Sequence, residues 1–229
     1  MTDIELIKNN AAIGSKIACA LSAQEKPTTT AIKSIAEARR VTIVGGAAVD
    51  IISQSDTIVP GSSNSHVGHI MMNEGGSTRN VAECLGRLGL GKDVTFVSGI
   101  GDDDKQIFVK NSLDRVGIST DGLCVKQGER TAAFTGVLDK NGDFFCGVAD
   151  MAVLEYIPRE HLDMFKFWNS QVLILDSNIG TETLEYLLSR SAHVQHVIYE
   201  PISQEKSERI LSKDFLGQLT CFKPNMIQL

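Results

Sequence analysis

A glycine turn that leads into polar residues is the feature of this sequence with the clearest capacity for chemistry. Residues 75–83 read Gly-Gly-Ser-Thr-Arg-Asn-Val-Ala-Glu. Because glycine has no Cβ atom, Gly75 and Gly76 can adopt positive φ and let another group approach the backbone closely. A small polar ligand can then lie at the first turn of the following helix, near free backbone N–H groups. Taken alone, the same residues are explained more simply by a tight turn and a solvated helical end.

Asp50 is a second candidate, within residues 45–51, which read Gly-Gly-Ala-Ala-Val-Asp-Ile. Its apolar neighbours predict partial burial, and a carboxylate held there can accept hydrogen bonds from a pair of sugar hydroxyls. An aspartate that caps a loop explains the position equally well. Other acidic residues follow further apolar runs, namely Asp102, Asp103, Asp176 and Glu200.

Several common catalytic signatures are absent from the sequence. It has no G-x-x-x-x-G-K-[ST] phosphate loop, no G-x-G-x-x-G dinucleotide turn and no G-x-S-x-G nucleophile elbow. His66 and His69 stand three positions apart without a third ligand nearby, so we do not predict a metal site there. The acidic run at 102–104 is more typical of a helix N-terminus than of a cation site.

The elements that would position the candidate residues alternate between strand and helix. Short apolar runs at 41–44, 94–97, 172–175 and 197–199 end in polar residues, a pattern typical of strands buried in a parallel sheet. Helices with apolar stripes lie between them. This alternation predicts an α/β layered fold, in which ligands bind at the C-terminal ends of the strands.

The helix after the glycine turn has a predicted buried stripe of Val81, Leu85 and Leu88. Ser77 or Thr78 is its expected cap. The charged and amide residues at 79, 80 and 83 lie off the stripe, so we expect them to form a solvated first turn.

Two segments, 56–72 and 130–148, interrupt the alternation. The second contains a hairpin signal, Asp-Lys-Asn-Gly-Asp at 139–143, between two extended runs. Their mixed polarity predicts a small sheet that projects from the main layer. Such a β flap can cover a ligand at the strand ends.

The composition limits the possible binding partners and the cellular compartment of the protein. The 229 residues carry a net charge of −6 without a basic run, which disfavours nucleic acid as a partner. No apolar run has membrane-spanning length, and the five cysteines show no C-x-x-C spacing. We therefore expect reduced thiols in the cytoplasm, with a mitochondrial location left open.

The order of motifs resembles the PfkB (ribokinase-like) carbohydrate kinases. The matching residues run from the glycine turn and Asn80 through Gly89, Gly99 and 101–103 to the hairpin at 139–143 and Lys223-Pro224-Asn225. Within that family the chain is similar to pseudouridine kinases at 46–51, 79–83, 149–151 and 200–206. The resemblance implies a three-layer α/β/α fold with a mostly parallel sheet and a small β flap, incomplete at the C-terminus.

The resemblance implies ATP-dependent phosphorylation of the 5′-hydroxyl of pseudouridine, with ATP and Mg²⁺ as cofactors. Asp50 would bind the ribosyl hydroxyls, and Gly75, Gly76 and Asn80 would shape the sugar pocket. Further residues implied by the resemblance are Thr131 and Asp150, which would hold the nucleoside from the flap, and Asn225, which would lie near the ATP phosphates.

Departures from the family pattern qualify this expectation. Ala48 replaces an asparagine two residues before Asp50, Thr78 is larger than the usual residue, and Gln228 replaces the glutamate of an Asn-x-x-Glu element. The Gly-Ala-Gly-Asp motif, with its general-base aspartate, lies beyond Leu229. We therefore expect the chain alone to be inactive; the alternatives are a non-catalytic nucleoside-binding protein and another sugar kinase of the family.

The predicted organisation has three parts. Residues 1–22 form a helix similar to the C-terminal end of a pseudouridine-5′-phosphate glycosidase, 23–38 form a linker, and 39–229 form a partial kinase domain. The expected partners are a nucleoside or sugar, a fused or associated glycosidase, and a second copy paired through the flap.

Overall fold

Each apolar run that the sequence predicted as a buried strand lies in one parallel sheet. The computed structural model describes residues 41–58, 63–211 and 215–224. Within them, the main sheet has the order β10-β9-β8-β1-β4-β5 with parallel neighbours throughout. Its strands are β1 (Val41–Val44), β4 (Val94–Gly101), β5 (Leu123–Lys126), β8 (Val172–Asp176), β9 (His196–Glu200) and β10 (Cys221–Phe222). The predictions about residues 1–38, Asn225 and Gln228 lie outside the described residues.

Helices cover both faces of this sheet. They are α1 (Ser77–Leu85), α2 (Lys105–Asp114), α3 (Arg159–Met164), α4 (Thr181–Ser189) and α5 (Gln204–Leu211). Alternate strand residues point to opposite faces. Ile43 and Phe96 pack with Leu113 of α2 in one apolar cluster, whereas Leu175 packs with Leu184 of α4 in another. The predicted α/β/α layering is therefore confirmed.

A second sheet, with the order β3-β2-β6-β7, forms the flap. Its strands are β2 (Ala48–Gln54), β3 (His69–Gly75), β6 (Ala133–Leu138) and β7 (Phe144–Asp150). β2 is antiparallel to β3 and parallel to β6, and β6 is antiparallel to β7. The flap therefore also includes residues 48–54, which lie outside the two segments, 56–72 and 130–148, that were predicted to form it. The hairpin at 139–143 joins β6 to β7, with Gly142 at φ 83°.

The two ends of α1 differ from the prediction. Gly76 holds the N-cap position instead of Ser77 or Thr78, and no side chain caps the helix. The helix gives way to a turn in which Gly89 has φ 83°. This turn removes Leu88 from the buried stripe, so that its side chain is 57% exposed.

Candidate functional site

The Asp50 carboxylate lies directly over Gly75. Asp50 is half-buried in the middle of β2, and Gly75 is the last residue of the adjacent strand β3. A Cβ atom at Gly75 would lie 2.5 Å from Asp50 Cγ, so only glycine leaves room for this carboxylate. Burial raises the pKa of Asp50 above its usual range, and the positive charge of Arg79 opposes that rise. The carboxylate is therefore partly buried and lies within the electrostatic influence of Arg79.

Gly76 turns the chain from β3 into α1 against the end of β1. Its φ of 101° is unfavourable for a residue with a side chain. An added Cβ would also lie 2.8 Å from the carbonyl carbon of Gly46. The backbone at Gly76 thus packs closely on Gly46, which requires glycine, whereas Gly75 has no positive φ and leaves room for Asp50 instead.

Asn80 lies in the first turn of α1, where its N–H donates to Gly76 O at 2.9 Å. Its side-chain Oδ1 accepts a hydrogen bond from Arg79 Nη2 at 2.5 Å. The same nitrogen donates to Glu83 Oε2 at 2.6 Å and to Glu74 O at 3.3 Å. Arg79 was expected in a solvated turn, but it is only 3% exposed because these acceptors from β3 and α1 surround it.

Asp176 connects three elements at the C-terminal edge of the main sheet. It is completely buried; Oδ2 accepts from Gly46 N at 2.8 Å and Thr78 Oγ1 at 2.7 Å, and Oδ1 accepts from Asn178 N at 2.9 Å. Burial raises the pKa of Asp176, while these hydrogen bonds and Lys206 oppose the rise. The sequence prediction assigned Asp176 no role. The unusual Thr78 was the available signal, since its hydroxyl reaches this carboxylate.

Thr131 lies below the flap, between β4 and β6. It is fully buried; its Oγ1 accepts from Gly101 N at 3.2 Å, and its N–H donates to Asp103 Oδ1 at 3.1 Å. Partial burial raises the pKa of Asp103, but hydrogen bonds from Lys105 and Thr131 outweigh this effect and lower the pKa overall. In this structure Thr131 holds the base of the flap in place, and its contact with a nucleoside stays a prediction.

Asp150 does not share the flap face that carries Asp50. Asp50 is in register with Phe134, whereas Asp150 is in register with the preceding residue, Ala133. Successive residues of a strand point to opposite faces, so the two carboxylates point to opposite sides of the flap. Asp150 accepts a hydrogen bond from Arg130 Nε at 2.8 Å, and both side chains are solvent-accessible. A direct contact of Asp150 with a nucleoside likewise stays a prediction.

Phe134 is a neighbour of Asp50 that the sequence prediction did not single out. It is the register partner of Asp50 in β6, is half-buried and stacks on Phe144 with ring centroids 6.3 Å apart. Its place between Ala133 and Gly136 in a mixed run gave no distinctive pattern. The same flap face thus presents a carboxylate and an aromatic ring.

The edge of the main sheet near β9 carries a partly buried ion pair. At the edge near β9, Lys223 Nζ lies 2.9 Å from Glu200 Oε2, and burial raises the pKa of Glu200 while Lys223 opposes the rise. Among the described residues, no group of three or more His, Cys, Asp or Glu lies together to hold a metal ion. Asn225, the predicted nucleotide contact, is outside them.

A parallel six-stranded sheet with helices on both faces and a small four-stranded flap places this chain in the α/β class. A family model described as pfkB family carbohydrate kinase matches residues 38–225. The chain belongs to this family.

Curated relatives include kinases that act on pseudouridine. The pseudouridine kinase of Escherichia coli is 27% identical over 190 residues, which cover 82% of this chain and 59% of that enzyme. The pseudouridine-metabolizing bifunctional protein of Schizosaccharomyces pombe is 23% identical over 217 residues, covering 91% of this chain and 27% of that protein. The chain therefore spans little more than half of the first relative and about a quarter of the second.

Solved structures agree with the fold. Ribokinase from Arabidopsis thaliana, complexed with ribose and ATP, superposes with a TM-score of 0.61 at 20% identity, covering 75% of this chain and 58% of that one. In the described part of this chain, none of the helices has the length and hydropathy needed to cross a membrane.

Proposed function

We propose that this chain carries the nucleoside-binding part of a cytoplasmic kinase that transfers phosphate from ATP to the 5′-hydroxyl of pseudouridine. The observation that carries the proposal is the Asp50 carboxylate, which rests on Gly75 beside the first turn of α1. An ionised carboxylate accepts hydrogen bonds only, and a pair of ribosyl hydroxyls supplies the donors. Relatives that act on pseudouridine support this substrate.

The aromatic surface next to Asp50 favours a nucleoside over a free sugar. Phe134 is in register with Asp50, so the two side chains share one face of the flap. When the ribosyl group of a nucleoside binds Asp50, the base of that nucleoside is expected to lie near the Phe134 ring. Aromatic and planar groups stack favourably, by about 0.5–1.5 kcal/mol beyond the area they bury. We therefore assign Phe134 to the base and Asp50, Gly75, Gly76 and Asn80 to the ribosyl group.

We infer that phosphate transfer depends on the general-base aspartate of a Gly-Ala-Gly-Asp motif, which the family resemblance implies and which residues 1–229 do not contain. Loss of a general base alone lowers a rate by roughly 10²–10⁴-fold. We therefore propose that the polypeptide 1–229, used alone, binds pseudouridine without phosphorylating it. Asn225 remains the proposed contact for the ATP phosphates and Mg²⁺.

Two measurements on purified 1–229 test the proposal. Thermal shift with pseudouridine, adenosine, ribose and fructose should show stabilisation by pseudouridine in particular. Stabilisation by a free sugar alone would refute the nucleoside assignment and favour another sugar kinase of the family. Incubation with ATP and Mg²⁺ should yield no pseudouridine 5′-phosphate, and its formation would contradict the proposed inactivity of 1–229.

The flap is the proposed contact between two copies of the chain. Its outer strands expose large apolar side chains: Ile70, Met71 and Met72 on β3, and Phe144 and Val148 on β7. Exposed apolar side chains on the two edge strands of a sheet are typical of interaction surfaces. Analytical ultracentrifugation should show a dimer, and a monomer at high concentration would exclude this pairing.

A glycosidase is the proposed second partner. The bifunctional fission yeast relative and the similarity of residues 1–22 to a glycosidase helix support a fused or associated unit. Such a unit would release uracil from pseudouridine 5′-phosphate. An affinity-purified endogenous complex without that activity would contradict this partner.

A further inference from the structure

Arg79 is a buried cation with an uneven distribution of hydrogen bonds. Its Nη2 contacts the oxygens of Glu74, Asn80 and Glu83, whereas its buried Nε and Nη1 atoms have no hydrogen-bond partner. Unpaired buried donors reduce stability, so this placement is not the one that folding alone would favour. The contacts of Nη2 therefore point to a role beyond folding.

The contact with Arg79 determines which end of the Asn80 amide faces away from it. A guanidinium group only donates hydrogen bonds, so the Asn80 atom 2.5 Å from Nη2 is the amide oxygen. The amide nitrogen, with its two hydrogens, is then directed away from Arg79. Asn80 is half-buried at the first turn of α1, and its N–H is bound to Gly76 of the glycine turn.

Glu83 fixes the guanidinium from the other side. Its Oε2 accepts from Arg79 Nη2 at 2.6 Å, and its Oε1 accepts from Arg87 Nε at 2.8 Å. Arg87 is 71% exposed and lies one helical turn away from the pocket. The two arginines thus share one carboxylate, but only Arg79 also contacts Asn80.

We propose that Arg79 is a positioning residue that makes the pocket select two neighbouring hydroxyl groups, by holding the Asn80 amide with its NH₂ group toward the ligand. Both hydroxyls then donate to the Asp50 carboxylate, and one of them also accepts a hydrogen bond from Asn80 Nδ2. The charge of Arg79 also favours the ionised form of Asp50, since it counteracts the rise in the pKa of Asp50 caused by burial. This inference rests on the proposed function for its ligand, but the Arg79–Asn80 contact exists without one.

The first test needs no ligand. In the ¹⁵N-HSQC spectrum of 1–229, the Asn80 side-chain NH₂ pair is assigned by its loss in Asn80→Asp. We expect Arg79→Lys to shift this pair toward random-coil values, because lysine cannot donate in the same forked geometry. Arg87→Lys, the matched control, should leave the pair unchanged. An unchanged pair in Arg79→Lys would overturn the proposal. Arg79→Lys is used in preference to Arg79→Met because lysine keeps the buried positive charge beside Glu83, so that the variant is expected to fold.

The second test measures selectivity by calorimetry with pseudouridine and its 2′-deoxy and 3′-deoxy analogues. Wild-type 1–229 should prefer pseudouridine by more than about tenfold to the deoxy analogue that lacks the Asn80-bound hydroxyl, because that hydroxyl makes two hydrogen bonds. Arg79→Lys should lower that ratio by about tenfold, the value of the Asn80 hydrogen bond, and in an Asn80→Ala background it should have no further effect on the ratio. A weaker affinity with an unchanged ratio would mean that Arg79 is merely structural. If the wild type binds no pseudouridine, the proposed function fails, whereas the Arg79–Asn80 contact is still decided by the NMR test.

Discussion

The substitution Gly75→Ala separates ligand binding from folding at the centre of the site. The new methyl group would lie 2.5 Å from Asp50 Cγ and closer still to both oxygens, so the carboxylate has to move by about 1 Å to reach an ordinary contact distance. Gly75 has no positive φ, so the backbone itself accepts alanine. The change therefore acts mainly on the position of the Asp50 side chain.

The effect on binding should exceed the effect on stability. Alanine in a strand is favoured over glycine by about 0.5–1 kcal/mol, and a crowded methyl group costs about 1–3 kcal/mol. The net loss of stability is then about 0–2.5 kcal/mol, or less than about 10 °C in Tm. The displaced carboxylate loses two hydrogen bonds to the ribosyl hydroxyls, each worth about 1.5–3 kcal/mol when one partner is charged. Affinity should therefore fall by more than about 100-fold.

Calorimetric titration with pseudouridine and thermal melting, both on 1–229, check this prediction. Gly217→Ala is the control, because a Cβ atom there would meet no atom within 4 Å and φ is not positive. It should change neither affinity nor Tm appreciably. If Gly75→Ala binds pseudouridine within about threefold of wild type, less than one hydrogen bond has been lost, and the assignment of Asp50 to the ribosyl group is wrong.

Four further predictions follow from the same geometry. Asp176→Ala leaves the buried N–H groups of Gly46 and Asn178 without acceptors at about 1–3 kcal/mol each, so urea unfolding should show a loss of about 2–6 kcal/mol; unchanged stability would contradict this role. Because burial raises the pKa of Asp50 in the folded state, protonated Asp50 stabilises the fold at low pH. This contribution to the free energy of unfolding is lost as the pH rises through the raised pKa of Asp50. Pseudouridine affinity should do the opposite and fall as pH is lowered from about 7 toward 4, and a pH dependence that persists in Asp50→Asn would assign it to another group. Phe134→Ala should weaken pseudouridine binding by about tenfold but leave ribose binding unchanged, whereas Phe145→Ala should affect neither; equal losses for both ligands would remove Phe134 from the base site. Val148→Lys on the exposed flap edge should convert a dimer to a monomer in sedimentation, and a persistent dimer would place the interface elsewhere.

The main sheet could be predicted from the sequence because its strands are buried on both faces. Val172 to Leu175 and the other apolar runs carry that signal locally, without reference to any other part of the chain. β2 could not be recognised in the same way. Asp50 lies in a strand of mixed polarity whose inner face contacts the core through Val49, and whose other face carries Asp50 and is only partly buried.

The burial of Arg79 depends on contacts that sequence patterns do not contain. A charged residue off the apolar stripe is expected in solvent, and only the approach of Glu74 from β3 and the i, i+4 contact with Glu83 make its burial tolerable. The orientation of Asp150 toward the flap face opposite Asp50 has a similar origin. Its register relative to Asp50 is determined by the pairing of β2, β6 and β7, and a shift of one residue changes the face of every side chain.

The most direct test of the central claim is a calorimetric titration of pseudouridine into 1–229 and into Asp50→Asn. Asparagine keeps the size of the side chain but replaces one acceptor oxygen with a donor. We expect binding to the wild type, and a loss of affinity of about 10–100-fold in the variant with little change in Tm. Equal affinity of the two proteins for pseudouridine would contradict the claim that Asp50 and the glycine turn form the ribosyl pocket.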